Sequence, residues 1–365
     1  MAYIGKNLGT GELRLFEQIE YGPYNDPRQL APLASSRVWL NNGGIAVAPM
    51  KDFNFAPIAP TIGYLYSGEV VDTGFHVGGV QARLCKPGSR PRFYSSQKSW
   101  ELTATSTSSL TRYINRFTDG EVWISTATNS RTGTQIGWRT TETTLPRGVR
   151  YVMALLIGGG GGGGGAGGSL QHSGSGGGGG ACAACCVRLP ENGYATLTIG
   201  GWGAGGTNYG AGSNGSYSRI ASGSYWCQAG AGAGGQTSTS STNTAVGGAV
   251  TTSGNNVDGT LFASVAGGSG PGKNNAGNAA SFSITDYAPE GGTLAFGSNG
   301  GASGGSTGGG GGGASAYYGQ GGAGGNGAPG SDGQGYGGGG GGGGVALLTQ
   351  HAGGRGAPGH IIIRY

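Results

Sequence analysis

Four uninterrupted glycine runs, Gly158–Gly165, Gly176–Gly180, Gly308–Gly313 and Gly337–Gly344, set the first limit on what this chain can fold into. Glycine has no side chain to bury and loses more chain entropy on ordering than any other residue. A conventional hydrophobic core is therefore excluded for the part of the chain that holds these runs. They belong to a wider bias. Of the 89 glycines in 365 residues, 16 precede residue 151, leaving 73, or about one-third of residues 151–365. Collagen is excluded as well, because only five prolines follow Arg150 and there is no Gly-X-Y period.

Disorder would scatter glycine evenly among polar residues. Here the runs alternate with short β-type segments: Arg150–Ile157, Tyr194–Ile199, Ser216–Ile220, Ser281–Ile284 and His360–Tyr365. Each is β-branched or aromatic in character and bounded by Gly, Pro or Asn, which predicts strands. Polyglycine is a poor α-helix, losing about 1 kcal/mol per residue against alanine. A left-handed extended helix with three residues per turn is open to it. Bare helices of that kind can pack directly, each N–H finding a carbonyl on a neighbour. At a rise of ~3.1 Å, an eight-glycine run would be roughly 25 Å long. The expected fold is all-β, with an N-terminal β-rich module and a C-terminal β-sandwich-like scaffold carrying bundled polyglycine II helices.

Charge divides at the same place. Residues 1–150 hold 16 Lys+Arg against 11 Asp+Glu, and the remainder holds five of each. The basic residues are interleaved with acids and form no run, so no nucleic-acid footprint is expected. The longest apolar stretch, Tyr151–Ile157, is too short to span a bilayer, and the opening MAYIGKN has no signal-peptide core. A chain without membrane insertion is expected. Of the cysteines Cys85, Cys182, Cys185, Cys186 and Cys227, the pair Cys182-x-x-Cys185 could be half of a zinc or redox motif. Zinc would need two more ligands and a redox pair a helix N-terminus, so small thiols packed against glycine backbone account for it better, and neither metal nor cofactor is expected. No His/Asp/Ser arrangement has a catalytic context, so no enzyme is expected and no catalytic residue is assigned.

Three segments carry a family likeness. Thr144–Ile157 leads through a Pro-x-Gly-Val turn and a strand into polyglycine; Leu189–Gly201 repeats turn, strand and Gly-Gly; Gly353–Tyr365 ends in Gly-Ala-Pro-Gly and a hydrophobic strand. In this order they resemble the glycine-rich, polyglycine-helix domain of bacteriophage tail-fibre and receptor-binding proteins, over about residues 134–365. There is a looser resemblance to the distal adhesins of T-even-like phages. The resemblance implies a virion protein of a phage tail or fibre, made in the bacterial host cytoplasm. It would attach to the host surface through turns at the end of the glycine-rich domain, contacting a bacterial surface protein or glycan. The alternative is a structural tail or capsid-decoration component whose glycine domain is a spacer. Residues 1–60 are expected to attach the chain to other tail or fibre proteins, residues 61–133 to form a β-rich module, and residues 134–365 to form the glycine-rich domain. A homotrimeric arrangement is compatible with this plan.

If the runs are rods, recognition belongs in the turns between them. The candidates are Leu170, Gln171 and His172; Tyr317, Tyr318 and Gln320; and Leu347, Leu348, Gln350 and His351. Each group sets apolar or aromatic side chains beside an amide or imidazole. Capping of the rods by the same residues is the competing expectation. In the N-terminal part, Arg37–Leu40, Gly43–Ala48, Gly68–Val71 and Glu121–Ser125 read as strands, while Ser108–Phe117 is open between a short helix and a loop.

Overall fold

The computed structural model describes residues 99–117, 122–126, 128, 151–167, 172–238, 243–254, 258–272, 274–284, 294–305, 308–346 and 349–364. It adds the backbone of the strands Tyr3–Lys6, Leu13–Phe16, Ala46–Val47, Tyr64–Tyr66, Val70–Val77, Val80–Cys85, Pro91–Phe93 and Thr143–Leu145. Arg37–Leu40, most of residues 1–60, and the candidates Leu170, Gln171, Leu347 and Leu348 lie outside these residues. Among the described residues there is no helix, and the class is all-β.

Period-two patterning builds two antiparallel sheets. In Gly193–Ile199, Ala195, Leu197 and Ile199 are buried and the alternate residues are not. A seven-stranded sheet runs in the order Thr143–Leu145, Val122–Ser125, Leu110–Arg116, Gly193–Ile199, Ser218–Ser222, Tyr225–Ala229, Val250–Thr252. A five-stranded sheet runs Gly259–Val265, Cys182–Arg188, Tyr151–Ile157, His360–Arg364, Ser99–Thr103. Ile114, Ile124, Val152, Leu156, Leu197, Ile220, Tyr225, Ile361 and Ile363 close the space between them. The hairpin Ala280–Ile284/Leu294–Ser298 brings Phe282 and Phe296 onto the outer face of the five-stranded sheet, against Met153, Ile157 and Ala184.

Leu110–Arg116, within the segment left open between helix and loop, is a strand. Its pairing along all seven residues with Gly193–Ile199 decides the matter, because tertiary pairing outweighs local preference. Ser99–Thr103 likewise pairs with the final strand His360–Arg364. Both sheets thus contain strands from either side of residue 133. The cysteine-rich segment Cys182–Arg188 is a central strand. Its alternation sends Cys185 into the sandwich, with Cys227, and Cys182 and Cys186 to the opposite face. Cys182 and Cys185 therefore cannot close on one metal ion. All four thiols are free and buried, and burial pushes those of Cys182, Cys185 and Cys186 up, keeping them protonated.

From the sandwich the chain leaves and returns as extended glycine-rich segments. Along residues 158–167 the amides donate in strict rotation. Gly158, Gly161, Gly164 and Gly167 reach Ala181, Gly178, Ser175 and His172; Gly159, Gly162 and Gly165 reach Ser216, Ser213 and Gly210; Gly160, Gly163 and Ala166 reach Ala357, Gly354 and His351. The carbonyls accept in the same rotation from three other segments, for example Gly160 from Gly203, Gly162 from Gly235 and Gly161 from Gly340. A segment with a three-residue period and six hydrogen-bonded neighbours sits at the centre of a hexagon.

Extending the same bonds outward gives four rows: 200–207, 351–359 and 328–334; then 210–217, 158–167, 337–344 and 319–326; then 230–236, 172–181, 308–314 and 299–305; then 245–249, 267–272 and 274–279. Only four of these segments have six neighbours: 158–167, 172–181, 308–314 and 337–344. They contain the four pure glycine runs. A Cβ on Gly160, Gly161 or Gly162 would overlap the carbonyl of Gly338, Ala233 or Ala204, so these positions exclude any side chain; nearer the far end the buried Ser175 is accommodated, its Oγ accepting from Gln236 N. On the ten perimeter segments side chains return at outward positions, as at Ala204, Ser213, Asn278, Ala302, Ser331 and Asp332. Within the array, lateral backbone hydrogen bonds take the place of buried apolar surface, each worth about 1 kcal/mol net; the exclusion of a conventional core holds for these segments alone, because the strands between them fill the sandwich with Val152, Leu156, Leu197, Ile220 and Ile361.

Candidate functional site at the far end of the glycine segments

Because Gly158 follows the strand Tyr151–Ile157, Ala166 and Gly167 lie at the end remote from the sandwich. Three ring-bearing residues gather there through backbone bonds. Ala166 N donates to the His351 carbonyl at 2.8 Å, Gly167 N donates to His172, and Tyr209 N donates to the Ala166 carbonyl at 3.2 Å. The rings of His172 and Tyr209 are 6.2 Å apart. Thr237 Oγ1 donates to the Gly165 carbonyl at 2.6 Å and satisfies an acceptor that the segment ends leave over. Beside them the small hairpin Val345–Ala346/Thr349–Gln350 places Gln350 directly before His351, whose Nε2 is buried without a partner among the described residues.

Tyr209 was not anticipated. It is 56% exposed and holds φ at 56°, a left-handed backbone that costs a bulky residue free energy. Its sequence signal is the three-residue interruption Thr207-Asn208-Tyr209 between glycines, which is shorter than the turns that hold the other candidates.

The candidates do not all share this end. His172, Gln350 and His351 do. Tyr317, Tyr318 and Gln320 lie at the sandwich end, in and after a tight turn closed by Ser315 and Gly319, which exchange amide-to-carbonyl bonds. There Tyr317 packs edge-on against Phe296 at 4.6 Å, and its ring parallels Tyr336 and His360. Burial pushes its phenol up to about 12. Tyr318 is 63% exposed with φ of 54°. The reason is parity. Each segment reverses the chain, and 308–314 runs toward the sandwich, so the turn that follows it faces inward.

His360 opens the final strand beneath this cluster. Its Nδ1 is 2.8 Å from Thr103 Oγ1, its ring stacks on Tyr336 at 3.8 Å, and its Nε2 is 3.6 Å from the carboxylate of Glu101. Burial lowers its pKa to about 4. The ring is therefore neutral at pH 7, its burial outweighing the nearby Glu101. Among the described residues, no three His, Cys, Asp or Glu side chains converge as a metal site.

A comparison with curated proteins returns no match. A family model described as a glycine-rich domain matches residues 134–365, the span that supplies all fourteen segments and most of the sandwich. With well over half its length matched, this chain belongs to the glycine-rich domain family.

Proposed function

We propose that this protein is a component of a phage tail fibre or tail tip that attaches the virion to its bacterial host through the far-end turns. One observation carries the reading. The hydrogen-bond register gathers His172, Tyr209, Gln350 and His351 at the end of the glycine array that is remote from the sandwich. The array itself offers a ligand almost nothing, since its interior is backbone. It is a stiff support for the exposed Tyr209 and the partly exposed His172, Gln350 and His351, rings and an amide of the kind that anchor protein and glycan recognition. The three-residue rotation of donors and acceptors supports reading the segments as polyglycine II helices. The likeness of Thr144–Ile157, Leu189–Gly201 and Gly353–Tyr365 to tail-fibre domains is what suggests the biological setting. In this reading residues 1–60 join the chain to other tail or fibre proteins, the partner is a bacterial surface protein or glycan, and no catalytic step is involved.

A spacer role is the second reading, and the packing of Tyr317 against Phe296, Tyr336 and His360 favours capping for that turn. The two separate on assembled particles carrying Tyr209→Ser, His172→Ser and Gln350→Ala together. Adsorption to host cells should fall by tenfold or more with particle yield unchanged. Intact particles that adsorb like wild type would leave the spacer.

A further inference from the structure

We propose that the outer face of the seven-stranded sheet binds a carboxylated saccharide, at a site separate from the far-end turns. The register lines up Tyr113, Thr196, Ala221 and Trp226 across four neighbouring strands. With strands about 4.8 Å apart, the two outer members stand roughly 14 Å from each other. Between them the side chains are small, so the face is a trough with aromatic walls. Tyr194, 41% exposed, thickens one wall by its edge-to-face contact with Tyr113 at 5.4 Å. The other wall is Trp226, with the Arg219 guanidinium 4.6 Å over its ring.

Arg219 supplies the specificity. It lies one row along from Trp226, opposite Thr198 and Gln228. It has no ion-pair partner among the described residues, and no Asp or Glu stands on the outward positions of these strands. A partly buried arginine whose guanidinium is held against an indole is a pre-positioned cation without an ion-pair partner among the described residues, and its fork suits a carboxylate. The hydroxyls of Thr196 and Thr198 and the Gln228 amide offer hydrogen bonds to sugar hydroxyls along the floor. Ring faces for the sugar's C–H groups, hydroxyl and amide partners, and one unpaired cation together describe an acidic sugar unit better than a neutral one.

The test is calorimetric titration of the full chain with hexuronic-acid oligosaccharides, nonulosonic acids, matched neutral hexose oligosaccharides, and inorganic phosphate. At least one carboxylated saccharide should bind saturably, and more tightly than its neutral counterpart. Arg219→Gln should weaken that binding about tenfold or more without altering the neutral saccharide, whereas Trp226→Ala should weaken both. Unchanged thermal unfolding of the two variants establishes that they fold. Saturable binding of no carboxylated saccharide, undiminished binding by Arg219→Gln, or phosphate binding as tightly as the sugars would each overturn the proposal. None of these results bears on adsorption through the far-end turns.

Discussion

Replacing Gly162 by alanine tests whether backbone contact holds the glycine half together. The added methyl would overlap the carbonyl of Ala204, so segments 158–167 and 200–207 must separate. Separation breaks two bonds of 2.8 Å, Gly203 N to the Gly160 carbonyl and Gly206 N to the Gly163 carbonyl. Leaving their buried groups unpaired costs about 1–3 kcal/mol each, and crowding adds roughly 1–3 kcal/mol. Against this, alanine stiffens the unfolded chain by about 0.4–1 kcal/mol. The net loss is about 3 kcal/mol or more. For a unit of this size 1 kcal/mol moves the melting temperature by roughly 2–4 °C, so scanning calorimetry should show a fall of about 6 °C or more. Ala204→Ser, at an exposed perimeter position, should change stability by no more than ~0.5 kcal/mol. A Gly162→Ala protein melting within ~2 °C of wild type would refute the idea that close lateral packing of bare backbone stabilises the array.

Two other perturbations probe the sandwich end. Because the folded pKa of His360 is about 4 against 6.5 for the free side chain, the unfolded chain takes up a proton there that the folded one refuses. Stability should therefore decline as pH falls from about 6.5 to about 4, by on the order of 3 kcal/mol, and level off below; His360→Gln should flatten that part of the thermal-unfolding profile, and an unchanged slope would remove His360 as its source. The adjacent tyrosines should part company: Tyr317→Ala should destabilise by about 2–4 kcal/mol through lost aromatic packing, while Tyr318→Gly should be neutral or stabilising, since glycine adopts the φ of 54° without strain. Equal losses in chemical denaturation would contradict this placement.

Much of this architecture is legible in the residues. Pure glycine runs mark the interior segments because along each run close neighbours leave no position for a Cβ, and strands such as Tyr151–Ile157 declare themselves by β-branched and apolar content. Cys182–Arg188 does not, since alanine and cysteine carry weak strand preference and only its two partners make it central. The site was half visible. His172, Gln350 and His351 flank conspicuous glycine runs, but assigning a turn to one end requires counting every reversal. Short mixed segments such as 274–279 and 328–334 do not announce themselves as reversals. That is why Tyr317, Tyr318 and Gln320 fall at the opposite end from the other candidates, and why Tyr209, in an interruption shorter than the other turns, does not stand out.

The perimeter side chains have a consequence for how such molecules behave in company. An array of bare backbone is a crystal in miniature, and a crystal grows by adding rows to its facets. Here each facet is poisoned: Thr207 and Ser331 on one side, Ala302 and Asn326 on the next, Asn278 and Val246 opposite, Ala211 and Ser213 on the last. Any glycine-rich strand arriving from another copy meets a Cβ where it needs a carbonyl. Growth stops at the fourteen described segments, and the material that would make silk makes a finite particle.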